Sequence, residues 1–145
     1  MRRGDNGTSK SVLRLIDANA NRALEGLRVC EEVIRFHFEA PALFRRSRAL
    51  RHAIAQAVNR LPISPRELMR ARNSGRDVGR RSPASRVATL ERLMIVNLQR
   101  TKESLRTLEE CARVIAPRHT GTFQRLRFRT YEVERDLLLA TLRHR

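Results

Sequence analysis

Two asparagines and two arginines stand at matching places in the chain, and their side chains suit a phosphorylated ring. Asn19 and Arg22 lie in "DANANRALEGLRVCEEVIRF", residues 17–36, and Asn97 and Arg100 in "IVNLQRTKESLRTLEECARVI", residues 95–115. An asparagine amide offers donors and acceptors to a heteroaromatic ring, and a guanidinium offers a planar fork to phosphate. Between them, "NSGRDVGRRSPAS", residues 73–85, holds Asp77, the only acid between Glu67 and Glu91. With Arg72 and Gly79, Asp77 could organise metal and phosphate on a moving loop. A turn aspartate reads equally well from the local sequence.

Helices must position these groups. From Ser11 to about Phe38, Leu15, Ile16, Ala20, Ala23, Leu27, Cys30 and Ile34 recur at three and four, the period of an amphipathic helix. Pro41 suits the first position of a second helix, running to about Arg60 through Leu43, Phe44, Leu50, Ile54 and Val58. "SPRE", residues 64–67, is a capping box opening a short third helix that ends near Arg72. The loop follows, broken by Gly75, Gly79 and Pro83. Its one large apolar residue is Val78, so it is expected to be mobile when empty and to close over phosphate through Arg72 and Arg76. A fourth helix is expected from about Ser85 to Ile115, stopped by Pro117, and a fifth from about Thr122 to Leu142. No segment alternates with period two, so the fold class is all-α. Residues 1–10 read as a disordered polar tail, and 11–145 as one helical domain.

The chain repeats. Asn19, Arg22, Glu25, Leu27-Arg28 and Glu31-Glu32 match Asn97, Arg100, Glu103, Leu105-Arg106 and Glu109-Glu110 at an offset of 78. Leu50-Arg51 matches Leu126-Arg127 at an offset of 76. The repeated unit is a helical hairpin, 11–60 and 85–142, with 61–84 inserted between the copies. Two hairpins pack as an antiparallel four-helix bundle, and a pseudo-twofold axis would turn Asn19 and Asn97 toward a common interior. At about 100° per residue, Asn19 falls inside the apolar sector with Gly26, and Arg22 on its flank. Ser104 takes the small-residue slot of Gly26 in the second copy. A buried amide costs about 1–3 kcal/mol if its hydrogen bonds are not made. Either the asparagines form a structural polar pair that fixes register, or they line a pocket rimmed by Arg22 and Arg100. Glu25 and Glu103, nearer the pocket sector, are secondary candidates. Glu31, Glu32, Glu109 and Glu110 read as solvated partners of Arg28, Arg35, Arg106 and Arg113.

Composition narrows the function classes. With 145 residues, 41% of them hydrophobic, the chain can bury a core without staples. Cys30 and Cys111 read as free buried thiols of a reduced, cytoplasmic protein, and the four scattered histidines lack metal-ligand spacing. No apolar run reaches membrane length, and the first residues have no signal-peptide core. The charge is extreme: 31 Lys and Arg against 15 Asp and Glu, net +16. That suits polyanions, but one Tyr, five Phe and no Trp give no stacking platform, which argues against nucleic acid and for phosphorylated small molecules.

"RLIDANANRALEGLRVCEEVIRF", "LRH" in the second helix, "ARNSGRDVG" in the loop and the closing "LRFRTYEVERDL" resemble a helical domain found alone or N-terminal to thiamin-phosphate synthase in bacteria. The resemblance covers about residues 11–139. It implies a hydroxymethylpyrimidine-phosphate kinase activity with ATP and Mg²⁺, although no P-loop or kinase glycine loop is present. The family's loop reads like "ARDTxxDVG"; Arg72, Asp77 and Gly79 match it, while Asn73 replaces its Asp and Ser74 its Thr. Taken with the pocket reading, the candidate roles are Asp77 for catalysis and metal, Asn19, Arg22, Asn97 and Arg100 for substrate, and Arg72, Arg76 and Arg127 for phosphate. Tyr131 joins Glu25 and Glu103 as a secondary candidate. Implied partners are a phosphorylated pyrimidine, a nucleotide, thiamin-phosphate synthase and a second copy of the chain. The synthase barrel, of roughly 200 residues, has no room in this chain, so the condensation itself is not expected here.

Overall fold

The computed structural model describes residues 3–142, with side chains left out at 3–6, 8 and 142. Helix α1 spans Arg3–Val33 and runs into a π-helical turn, Ile34–Phe38. Helices α2 (Pro41–Asn59) and α3 (Pro65–Ala71) follow, then a 3₁₀ turn at Ser74–Arg76. Helix α4 is Leu90–Ile115, and α5, Thr120–Leu142, follows a 3₁₀ turn at Pro117–His119. No strand occurs among the described residues, as the period-three-and-four pattern requires. No helix among them is long and apolar enough to cross a membrane.

Local chemistry sets the boundaries. Glu39 adopts a left-handed conformation, φ 49°, and its N–H bonds Ile34 O, which ends the first helix. Pro41 then opens α2, with Ala40 extended ahead of it. The Ser64–Glu67 capping box forms as expected, each side chain bonding the other residue's backbone. Two boundaries differ from expectation. Residues 3–10, expected as disordered tail, continue α1, because adding turns to an existing helix costs far less than nucleating one; residues 1–2 lie outside the described part. Residues 85–89 are not helical. Thr89 caps α4 by accepting from Arg92 N–H at 3.1 Å, so the loop runs on to the cap.

The long helices form a ring: α1 packs on α2 and α4, and α5 packs on α2 and α4, while α3 lies on the outside of α1. The core between them holds Ile16, Leu27, Ile34, Leu50, Ile54, Met94, Leu98, Leu105, Leu108, Phe123 and Leu137. Helices α1 and α4 cross antiparallel and very close. Thr101 Oγ1 donates to Ala23 O at 3.2 Å, and Cys30 Sγ reaches Met94 O at 3.5 Å. A Cβ on Gly26 would sit 2.6 Å from Thr101 Oγ1 and 2.8 Å from Asn97 O, so only glycine fits this crossing.

The duplication appears in the packing. In the first hairpin, buried Glu31 accepts from Nε and Nη2 of Arg51; in the second, Glu109 accepts from Nε and Nη2 of Arg127 at 2.9 and 3.4 Å. Arg28 flanks the first carboxylate at 3.8 Å and Arg106 the second at 3.9 Å. The expectation that Glu31 and Glu109 lie on a solvated face is overturned. Residues one apart on a helix diverge by about 100°, so the second member of each pair, Glu32 or Glu110, takes the outer position and the first turns inward. Arg127 is likewise spent on Glu109 and Tyr131. Arg127→Ala takes both hydrogen bonds from the buried Glu109 and leaves it only the looser contact with Arg106 at 3.9 Å, and the expected loss in denaturant unfolding is about 3 kcal/mol. Replacing both residues by Leu and Met should recover most of that loss.

Both cysteines are buried and free. Burial, with added repulsion from Glu134 and Glu31, pushes the Cys30 thiol up to about 12; burial and Glu110 push Cys111 the same way. The unfolded thiols ionise near pH 8.5, so ionisation favours the unfolded chain as pH rises past that value. The expected outcome is full stability below about pH 8.5 and a decline above it. A thiol reagent at pH 8 should label neither cysteine in the native protein and both in denaturant.

Candidate active site

A cleft of about 440 Å³ lies where α3 and the following loop meet the outer face of α1. Its size suits a small phosphorylated ligand. Asn19, Arg22, Arg72 and Asp77, four of the residues picked from the sequence, line it. Arg14, Leu15, Asp17, Ala18, Asn21, Asn73 and Ser74 complete most of the wall.

Each side chain is held by its element. Asn19 is buried, and its amide donates to Leu15 O at 2.8 Å, one turn back in α1. Arg72 closes α3 with its N–H on Leu68 O at 3.0 Å. Its side chain reaches Asp17, Nε to Oδ2 and Nη2 to Oδ1, both at 2.7 Å. That carboxylate raises the Arg72 guanidinium above its ordinary value. Arg14 Nη2 donates to Asn73 O at 3.3 Å, a second tie between α1 and the loop. Asp77 makes a local turn, its Oδ1 accepting from Gly79 N–H at 2.8 Å. Arg76 N–H, Asp77 N–H, Arg80 N–H and Ser82 N–H each bond the carbonyl three residues back. The first part of the loop, through Ser82, is a run of turns tied to α1 at its start. Polar anchors that a hydrophobic count misses hold it.

Other expected members fall elsewhere. Asn97 is buried in the α1–α4 crossing and donates to Leu93 O at 2.9 Å, the same back-bond that Asn19 makes. The antiparallel crossing centres near Ala23 and Thr101, so the asparagines lie on opposite sides of it, about eight residues or 12 Å apart along the axis. They share the α1–α4 interface but not a pocket. Arg100 is exposed and outside the cleft wall, as is Glu25. Arg76 is exposed on the loop, also outside the wall. Glu103, Arg127 and Tyr131 gather with Gln99, Lys102 and Arg106 around a second hollow of about 290 Å³ on α4 and α5. There Lys102 pairs with Glu134 at 2.9 Å and Arg127 bonds Tyr131 Oη at 3.3 Å, so its cations are matched.

Two cleft residues, Arg14 and Asp17, are not among those the sequence singles out, and for Asp17 a signal was there. It lay in the repeat: at the offset of 78 the counterpart of Asp17 is Ile95, whereas Asn19 and Arg22 keep theirs. An acid in one copy facing an aliphatic residue in the other marks a position the shared fold does not require.

Residues 14–136 match the model of the ThiD2 family. The thiamine-phosphate synthase of Synechocystis sp. is 36% identical over 131 residues, covering 88% of this chain and 36% of that protein. That of Rhodopirellula baltica is 36% identical over 138 residues, covering 92% and 36%. That of Thermosynechococcus vestitus is 35% identical over 135 residues, covering 91% and 37%. The chain thus spans just over a third of the length of these curated relatives. No solved structure matches it.

The geometry separates the two asparagines by role. Asn97→Ala should cost about 1 kcal/mol in thermal unfolding and leave affinity for a phosphorylated pyrimidine unchanged. Asn19→Ala should weaken that affinity several-fold in the same titration.

Proposed function

The chain belongs to the ThiD2 family, and on that premise we propose that it serves thiamin biosynthesis by phosphorylating hydroxymethylpyrimidine monophosphate to the diphosphate. A phosphate oxygen of the substrate attacks the γ-phosphorus of ATP, the bond from that phosphorus to the bridging oxygen breaks, and ADP leaves. Such a transfer needs positioning and neutralised charge more than a covalent nucleophile. The observation that carries the reading is the α1–loop cleft, where three arginines and one free-standing acid surround a space fit for a small phosphorylated ring.

Within that cleft Arg14, Arg22 and Arg72 hold phosphate oxygens, and Asn19 faces the ring. Asp77 lines the cleft and spends Oδ1 on Gly79, so that Oδ2 is the oxygen left for a ligand. No group of three or more metal-ligating side chains occurs among the described residues. Asp77 would be the residue to hold a Mg²⁺ ion that arrives with the substrate phosphates, since magnesium needs few protein carboxylates. When bound, it would neutralise phosphate charge. The diphosphate product is the kind of substrate a thiamin-phosphate synthase would consume.

The test is ³¹P NMR of the purified chain with hydroxymethylpyrimidine monophosphate, ATP and magnesium. The expected result is a growing diphosphate doublet. Asp77→Asn should cut turnover at least about tenfold, near 1.4 kcal/mol of barrier, with unchanged helical circular dichroism. Full turnover in that variant would remove Asp77 from the mechanism. A parent that binds the pyrimidine phosphate without turning it over would make the domain a binding module that hands its ligand to a synthase.

A further inference from the structure

One acid in the cleft repels the ligand proposed for it. Asp17 lines the same wall as Arg14, Arg22 and Arg72, and it is 7% exposed. A carboxylate at a phosphate site is electrostatically adverse, and burying one costs free energy unless it is paired. The fold does not ask for it, since the second copy carries Ile95 at the matching place.

Its geometry supplies a reason. Asp17 takes Arg72 side-on, through Nε and Nη2 at 2.7 Å each. A guanidinium has five N–H groups in a rigid plane. Side-on pairing occupies one edge and leaves the end edge free, with one N–H of Nη1 and one of Nη2 side by side. No protein acceptor takes that second edge among the described residues. The backbone of Arg72 is fixed independently by its bond to Leu68 O and by Arg14 on the next carbonyl. The side chain is thus held at its root by α3 and at its head by α1.

We infer that Asp17 is a positioning residue, which orients the Arg72 guanidinium so that its free edge presents a two-toothed fork to a phosphate of the ligand. The inference rests on the reading of this cleft as a phosphate site. It also assigns the ligand class more narrowly. A fork of fixed orientation favours a group with two terminal oxygens on one atom, as a phosphate has, over a monatomic anion such as a halide.

The sign of one substitution separates positioning from simple charge. If Asp17 acted only as a nearby negative charge, Asp17→Asn would tighten anion binding. Positioning predicts the opposite. The probe is inorganic pyrophosphate, titrated calorimetrically into the full chain, into Asp17→Asn, into Arg72→Ala and into the double variant. The expected result is about tenfold weaker binding in Asp17→Asn, at least as large a loss in Arg72→Ala, and no further loss when both are combined. Asp17→Ile, which grafts in the residue of the second copy, gives the same comparison should the asparagine variant not fold. The inference is overturned if Asp17→Asn binds pyrophosphate as well as or better than the parent while Arg72→Ala binds it weakly. It is equally overturned if the two losses multiply, because Asp17 would then act without Arg72. Unchanged binding in Arg72→Ala would instead bring down the phosphate reading of the cleft, and the inference with it.

Discussion

A carboxylate buried against a guanidinium joins the two helices of each hairpin, and the other packing is arranged around that bond. Glu31 holds Arg51 across α1 and α2, and Glu109 holds Arg127 across α4 and α5. A buried pair of this kind adds little net stability over apolar residues, but losing one partner is costly, so its clearest effect is on register. It fixes which face of α2 meets α1, and which face of α5 meets α4. The hairpins can then approach along α1 and α4, where Gly26 and Thr101 bring the backbones nearly into contact.

That frame is common to both copies; the cleft is not. It forms where the inserted helix α3 and its loop lie on α1 of the first copy. The differences between the copies indicate what the insertion added. Asp17 stands against Ile95, while Asn19 and Asn97 make the same back-bond to the preceding turn. The back-bond kept in both copies belongs to the bundle, and only the copy beside the insert has a cleft for Asn19 and Arg22 to line. A feature found only beside the insert is free to serve a ligand. Arg72, which belongs to the insert, is tied to the scaffold by the one acid that the scaffold does not need.

Much of the bundle could be read from residue spacing, because a stripe of apolar side chains has only one way to be buried in a helix. The five helices, the capping box and the hairpin repeat follow from that and from Pro41, Ser64 and Pro117. Of the site, Asn19, Arg22, Arg72 and Asp77 were legible as a set. Their separation from Asn97 and Arg100 was not, because a repeat fixes equivalence but not how far the crossing places equivalent residues from each other. The inward turn of Glu31 and Glu109 was hidden too. Adjacent glutamates give no sign of which one faces a partner on the next helix, and Arg51 and Arg127 lie 20 and 18 residues away in sequence. Single side-chain bonds such as Arg14 to Asn73 O, which hold the loop, leave no periodic trace.

The α1–loop cleft is proposed as the seat of a phosphorylated pyrimidine. Amide chemical shifts, followed by ¹⁵N–¹H NMR during titration with hydroxymethylpyrimidine monophosphate, test it most directly. The account predicts that the perturbed amides cluster at residues 11–22 and 72–79 and leave the hollow around Lys102 and Tyr131 quiet. Perturbations centred on residues 99–106 and 127–131, with residues 72–79 unmoved, would contradict it.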